Sequence, residues 1–418
     1  MSAVRPRWVA LPVLLALAAG WWLVGCSSSD TPRMEPTRLF AQVFAKVKSS
    51  AVEPVDDEEL YRRAAVGIIE ELQDPYALLL LPGESPPPPE DAPVPPGVFL
   101  DLRDGQVVIV ATVPGSAADS AGVRAGDVLL GIDSISTADL DLDEVATELA
   151  GAVGSILTLR VRRSGARSAI ALRVVRAELA PSGTTEASLL GGGVGRIRLF
   201  RFVPGVTDSV RERLEQLRRD GARSLVLDLR GTVGGRLEDG VAVADLFLES
   251  GEMLAQARSR PASDTARFVD RSASRFAAMP LAVLIDAGTA GAAEVVAGAL
   301  QDHDRAAVMG TSSFGRGVTR STFRLAEGVT LNLTTSLWLT PSGRQIQRPP
   351  RPESGDTLPR PQVKSEAGRV LVGGGGIVPD LQIAETGSGD PALAEARRVL
   401  ARATRPEEVL ALLTGPRS

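Results

Sequence analysis

The sequence predicts a multi-domain α/β chain, and three observations carry that prediction. Two nearly continuous apolar runs, Ser224-Leu-Val-Leu-Asp-Leu229 and Leu281-Ala-Val-Leu-Ile285, read as strands buried on both faces, and each leads into a helical pattern. Residues 97–178 hold several short strand patterns separated by turn residues. Residues 39–72 place apolar side chains at three- and four-residue steps. A chain of 418 residues with 44% hydrophobic content has material for two or three cores.

The N-terminus combines Arg5-Pro-Arg7, an apolar run over 8–23, and the junction Leu23-Val24-Gly25-Cys26. A short basic stretch before a short apolar one reads as an export signal, residues 1–25, rather than a spanning helix. Leu-Val-Gly-Cys also resembles a bacterial lipobox. That likeness implies a lipidated Cys26 at the mature N-terminus, a membrane attachment through the lipid, and a place in the cell envelope facing the periplasm. Ser27 leans toward the outer membrane by the same likeness. The competing reading is an uncleaved anchor. Residues 26–38, rich in Ser, then form a tether.

Residues 39–81 form a helical segment, with Phe40, Val43, Phe44 and Val47 on one stripe and Leu60, Ala64, Ile68 and Leu72 on another. Val55-Asp-Asp57 offers the second helix a start, and Asp74-Pro75 a stop. Residues 82–96 are a proline-rich linker. In 97–178, the strand patterns Val98-Phe-Leu-Asp-Leu102 and Gln106-Val-Val-Ile-Val-Ala111 flank Asp104-Gly105. Helix 142–149 and strands near 157–161 and 169–174 complete that unit. An α/β core over 184–389 contains the two buried strands and the glycine-rich loop Arg230-Gly-Thr-Val-Gly-Gly235. Short helices close the chain over 390–418.

Net charge is −5 and no dense Lys/Arg stripe appears, so nucleic-acid binding has no electrostatic footprint. One Cys and one His argue against a protein-built zinc site, and no cofactor motif is present.

The chemistry concentrates in Asp286-Ala-Gly-Thr-Ala-Gly291-Ala-Ala-Glu294, the apolar helix running to Leu300, and Thr311-Ser-Ser-Phe-Gly-Arg316-Gly317. This string resembles the active-site block of the carboxyl-terminal processing (tail-specific) serine proteases. Leu60-Tyr-Arg-Arg-Ala-Ala-Val-Gly-Ile-Ile69, Leu225-Val-Leu-Asp-Leu-Arg-Gly231 and Thr340-Pro-Ser-Gly-Arg-Gln-Ile346 extend the likeness, as does Gly376-Ile-Val-Pro-Asp380. The run Gly115-Ser-Ala-Ala…Ala-Gly126-Asp-Val-Leu-Leu-Gly-Ile132 resembles a PDZ domain over 97–178. The resemblance implies a PDZ domain inserted before a core related to the crotonase and caseinolytic-protease sheet, acting on C-terminal tails of exported proteins.

Peptide hydrolysis needs a nucleophile, a base and oxyanion donors. The family places a Ser where Gly291 stands, a Lys at Arg316, and a Gln at Arg320. Glycine has nothing with which to attack a carbonyl, and an arginine stays charged where a buried lysine can become neutral. All three catalytic positions are therefore degenerate. Among nearby hydroxyls, Thr289 reads as a helix N-cap, and Ser312 and Ser313 as loop residues. His303 reads as a surface residue at the helix end, and Glu294 and Asp302 as structural. By resemblance, the oxyanion-like donors are Gly234, Gly235 and the amide of Ala292. Arg316 either receives a peptide carboxylate or pairs with a neighbour such as Glu294.

In PDZ domains a peptide adds as a strand while loop amides cradle its terminal carboxylate. Here that loop is Gly97-Val98-Phe99-Leu100, with Phe99 where the family usually has a second glycine. The expected function is binding of tails without hydrolysis, alongside an active relative or envelope proteins. The rivals are an endopeptidase with a relocated nucleophile and a purely structural lipoprotein.

Overall fold

The computed structural model describes residues 35–72, 74–84, 93–177, 184–260, 262–270, 276–349, 360–384 and 389–414. The export signal, Cys26, most of the tether and part of the proline-rich linker lie outside them. Among the described residues no helix is long and apolar enough to cross a membrane. The chain forms two compact units, residues 1–71 and 72–418.

In the first unit, α1 (Pro36–Ser50) opens on a proline, whose missing N–H costs nothing in a first turn. Asp56 caps α2 (Asp57–Glu71) by accepting from the Glu59 amide at 2.8 Å. Phe44 stacks on Tyr61 at 4.5 Å, while Leu39, Phe40, Val43 and Val47 stay largely exposed.

The second unit begins with a departure from the expected boundaries. β1 (Leu78–Leu80), placed by sequence in the helical segment, pairs antiparallel with β16 (Thr330–Leu339). Asp74 pins the same edge, accepting from the Thr334 amide and hydroxyl at 3.0 and 2.9 Å. The helical stripe ends at Leu72, and three leucines in a row suit a strand as well as a helix.

The next layer is an antiparallel sheet. Its strands are β2 (Val98–Arg103), β3 (Gln106–Thr112), β4 (Val128–Ile132), β6 (Ile156–Arg162) and β7 (Ile170–Val175), in the order β2-β3-β4-β6-β7, with β5 (Ile135–Ser136) on β4. Asp104 and Gly105 both take positive φ, 51° and 69°, which the tight turn between β2 and β3 requires. α3 (Ala117–Ser120) fills the β3–β4 connection. α4 (Leu142–Leu149) starts at a reciprocal Asp141–Glu144 cap and packs beside β2. Ile109, Leu129, Val145, Leu157 and Leu159 are in the core between them.

The largest sheet runs β19-β14-β13-β10-β9-β8. It comprises β8 (Thr185–Leu189), β9 (Val194–Leu199), β10 (Ser224–Asp228), β13 (Leu281–Ile285), β14 (Ala307–Gly310) and β19 (Leu381–Gln382). Every pairing is parallel except β8 on β9. Alternate residues face opposite layers. Leu225, Leu227, Leu281 and Val283 join a core with α5 (Val206–Arg219), α6 (Leu237–Ala244) and α7 (Ala292–Asp302). Val226, Ala282 and Leu284 meet α8 (Pro391–Leu400) and α9 (Pro406–Thr414). Burial on both faces explains the unbroken apolar runs. A third sheet joins β1, β16, β11 (Met253–Ser259) and β12 (Ala266–Val269), with β15 (Val318–Arg324) also on β16. β17 (Gln362–Lys364) and β18 (Val370–Val372) form a hairpin.

Candidate functional site

The turn entering α7 lies at the C-terminal end of β13, beside the glycine-rich loop that follows β10. Asp286 joins the two, its Oδ1 accepting from the amides of Gly231 and Gly288 at 2.8 and 2.9 Å. Thr289 is fully buried. Its hydroxyl donates to the Leu229 carbonyl at 2.8 Å and accepts from the Asp286 amide at 3.0 Å. It is therefore not the expected N-cap of α7; the cap position is Gly291, at φ 69° and ψ −124°. That conformation is open to glycine and strained for any residue with a Cβ.

Gly235 also needs to be glycine. A Cβ there would sit 2.4 Å from the Phe202 Cβ and 2.9 Å from the Ala292 Cβ, so the bare backbone lets the loop lie against α7. The close approach has a consequence for the anion site. The Ala292 amide, expected to be a free oxyanion donor, donates to the Gly234 carbonyl at 3.2 Å. The donor is spent within the protein.

Behind the turn, Glu294 is fully buried and accepts from the amides of Gly291, Gly315 and Arg316 at 3.1, 2.7 and 2.8 Å. It also accepts from the Ser313 hydroxyl. Burial pushes its carboxyl up to about 7, against the pull of these four donors. One carboxylate thus ties the α7 turn to the 313–317 loop. Ser313 is not an ordinary loop hydroxyl: it is buried and also accepts from the Ile377 amide at 2.6 Å. Ser312 beside it is half-buried.

Arg316 departs from both of its expected roles. Glu294 meets only its backbone amide. The guanidinium instead donates to Asp101 Oδ2 at 2.6 Å, crossing from the core to β2. Both side chains are nearly buried, at 10% and 4% exposure. Arg103, two residues along β2, donates to the Phe314 carbonyl at 2.8 Å and lies 3.9 Å above the Phe314 ring. Burial, with Arg348 nearby, lowers Arg103 to about 10. Arg316 reaches the same ring at 5.1 Å. Arg320 lies on β15, 5.7 Å from the Tyr76 ring centroid.

The expected carboxylate loop is also closed. Gly97, Val98, Phe99 and Leu100 are all buried, and the amides of Gly97 and Val98 both donate to the Val94 carbonyl at 2.8 and 3.0 Å. Phe99 packs in a cluster with Val110, Val233, Ala290 and Phe314, which spans the β2–β3 layer and the core. β2 nevertheless remains the edge strand of its sheet.

At the other end of α7, Asp302 holds Arg344 and the amide and hydroxyl of Ser342. His303 is not a surface residue: its side chain is only 6% exposed.

A carboxy-terminal-processing protease of Bartonella bacilliformis is 31% identical over 316 residues, covering 74% of this chain and 72% of that one. The chain belongs to the carboxy-terminal-processing proteases of peptidase family S41. The S41 family model matches residues 193–352, and a PDZ model matches residues 108–163. The carboxy-terminal processing protease CtpA of Bacillus subtilis is 26% identical over 361 residues, 86% of this chain and 75% of that one. In fold, the chain resembles the photosystem II D1 C-terminal processing protease, with a TM-score of 0.64 and 24% identity. The match covers 88% of this chain and 98% of that one.

Two residues at this S41 site escaped the sequence reading: Asp101 and Arg103. Asp101 had left a signal, a lone acid within the apolar run of β2. Such a residue needs a buried partner, and Arg316 is that partner.

Proposed function

We propose that this S41 member receives C-terminal tails of exported proteins without cutting them, as an adaptor or regulator beside an active relative. The observation that carries the reading is position 291: a buried glycine opens α7 where the family's serine nucleophile is expected. Arg316 supports it, because a guanidinium held on Asp101 and permanently charged cannot take a proton from a hydroxyl. The nearby hydroxyls of Thr289 and Ser313 are buried and engaged in hydrogen bonds. Tail capture falls to the edge strand β2 beside α4, where a peptide adds by main-chain hydrogen bonding. The protease groove takes part only when the PDZ layer lifts. Export and a lipid on Cys26 place the chain in the bacterial envelope, facing the periplasm.

The test pairs two measurements. Fluorophosphonate labelling of the native protein should give no adduct, and an unstructured substrate should stay intact. Restoring Gly291→Ser, Arg316→Lys and Arg320→Gln together should bring cleavage above that background. In a comparable serine protease, loss of nucleophile or base costs about a million-fold in turnover, so a partial return is easily seen. A labelled residue or steady cleavage by the native chain overturns the reading in favour of a relocated nucleophile. Failure of the PDZ layer to bind any C-terminal peptide leaves the structural-lipoprotein alternative.

A further inference from the structure

The C-terminal end of α7 carries a His–Glu–Glu arrangement at the opposite end of the helix from the candidate site. His303 follows the last turn, and its Nε2 lies 2.6 Å from the Met253 carbonyl. A carbonyl oxygen only accepts, so the proton on that nitrogen is fixed and the ring is held by it. The other nitrogen, Nδ1, faces two carboxylates, Glu366 Oε1 at 2.8 Å and Glu252 Oε1 at 4.0 Å. In a neutral imidazole, Nδ1 is a lone pair, and three acceptors would then face one another. A cation between them resolves the conflict.

The three residues come from separate segments, each held in place. The amide of Glu249 donates to the other oxygen of Glu252 at 2.6 Å, which orients Oε1 toward the ring. The Glu366 amide donates to the Asp302 carbonyl at 3.2 Å, and the Ala367 amide to Asp304 at 2.5 Å, docking the turn after β17 on the helix end. His303 is 6% exposed, whereas Glu366 is 62% exposed, so the site has a solvent-facing side.

We propose that His303 Nδ1, Glu252 and Glu366 bind one divalent transition-metal ion of the zinc class, with water completing the shell. One ligand atom from each residue lies within 4.8 Å of the others. A tetrahedral ion with bonds of about 2.0–2.2 Å sets its ligands roughly 3.3–3.6 Å apart. Drawing Glu252 in and easing Glu366 out by less than about 1 Å reaches that geometry. An imidazole ligand selects zinc and its neighbours over calcium or magnesium, which prefer oxygen. Holding the far ring nitrogen on a carbonyl is how metal-bound imidazoles are oriented. A protonated imidazole would instead donate Nδ1–H to Glu366 at 2.8 Å, and zinc titration distinguishes that ion pair from a metal ligand. A count of Cys and His alone does not reach a site of this kind, because two of its three ligands are glutamates.

The test uses the full chain, stripped with chelator and titrated with zinc chloride. Calorimetry should give one ion per chain, and the melting temperature should rise with zinc. Because the chain has a single histidine, its imidazole nitrogen resonances are directly assignable: Nδ1 should shift on zinc addition while Nε2 stays protonated. Glu252→Gln and Glu366→Gln should each weaken binding at least about tenfold, and His303→Asn should abolish it. The exposed Glu366→Gln keeps the test valid if His303→Asn fails to fold. Binding must survive Cys26→Ser. No stoichiometric zinc, binding indifferent to Glu366→Gln, or a doubly protonated imidazole that ignores zinc overturns the proposal.

Discussion

The α7 turn and the PDZ loop were both expected to offer free amides to a peptide's negative end, and both have spent them, in different ways. At the turn, one N–H from Ala292 reaches the Gly234 carbonyl at 3.2 Å, a long bond next to glycines. In the PDZ loop, two N–H groups share the Val94 carbonyl at 2.8 and 3.0 Å, and Phe99 fills the space behind them. The first closure is a single backbone contact; the second is zipped into a strand and packed. A ligand could reopen the turn by displacing one carbonyl, whereas reopening the loop means unpairing the start of β2. Phe99 and Arg316 both work across the boundary between these regions.

The largest effect expected is at that boundary. Arg316→Ala leaves Asp101 buried without its ion-pair partner and should destabilise the chain by about 3–5 kcal/mol in urea unfolding. Combining Arg316→Met with Asp101→Leu removes both charges and should recover most of that loss. If Arg316→Ala is harmless, the guanidinium is not what holds the PDZ layer over the turn, and the two closures are independent. A double substitution as costly as the single one would place the energy in packing against Phe314 instead.

Much of this architecture was legible beforehand, and the reasons are local. The buried parallel strands announced themselves in two unbroken apolar runs, and Asp104-Gly105 marked its own turn. Three leucines at 78–80 are too short a run to set a period, so the segment boundary at 81 overran the strand. The site was readable as a set of positions but not as a set of contacts. No pattern near Arg316 points to a partner 215 residues away in another layer, and only the oddity of Asp101 in β2 hinted at one. Whether an amide is free depends on which carbonyl lies opposite. Nothing in the residue types at 234 or 94 encodes that.

A second prediction separates the two closures by their chemistry. The turn is tied through Glu294, whose carboxyl sits at about 7 in the fold against 4.5 ordinarily, chiefly through burial. The folded chain then holds a proton that the unfolded chain releases. Stability from this group is complete below about 4.5 and lost as pH rises through about 7, a fall of about 3 kcal/mol. Urea unfolding across that window should show the decline, and Glu294→Gln should flatten it. Relative to the global decline, hydrogen-exchange protection at the amides of Gly291 and Arg316 should rise over the same range, because an ionised carboxylate accepts more strongly than a protonated one. Protection at Gly97 and Val98, which no carboxylate holds, should not follow. Parallel changes in both regions would mean that they open as one unit.

The smallest effect concerns the glycine itself. With φ 69° and ψ −124°, position 291 costs any other residue about 1–3 kcal/mol of backbone strain. An added Cβ would also lie 3.0 Å from the Gly234 carbonyl oxygen, tighter than ordinary contact. Gly291→Ala and Gly291→Ser should therefore lose stability by similar amounts in chemical denaturation. Both should loosen the Ala292–Gly234 bond, seen as faster exchange of the Ala292 amide with the PDZ-loop amides unchanged. The glycine then relaxes a turn that any side chain would strain. A serine accepted at no cost, with the Ala292 amide still protected, would show that the turn closes for reasons other than its glycine. The contrast between a reopenable turn and a zipped loop would then have no physical basis.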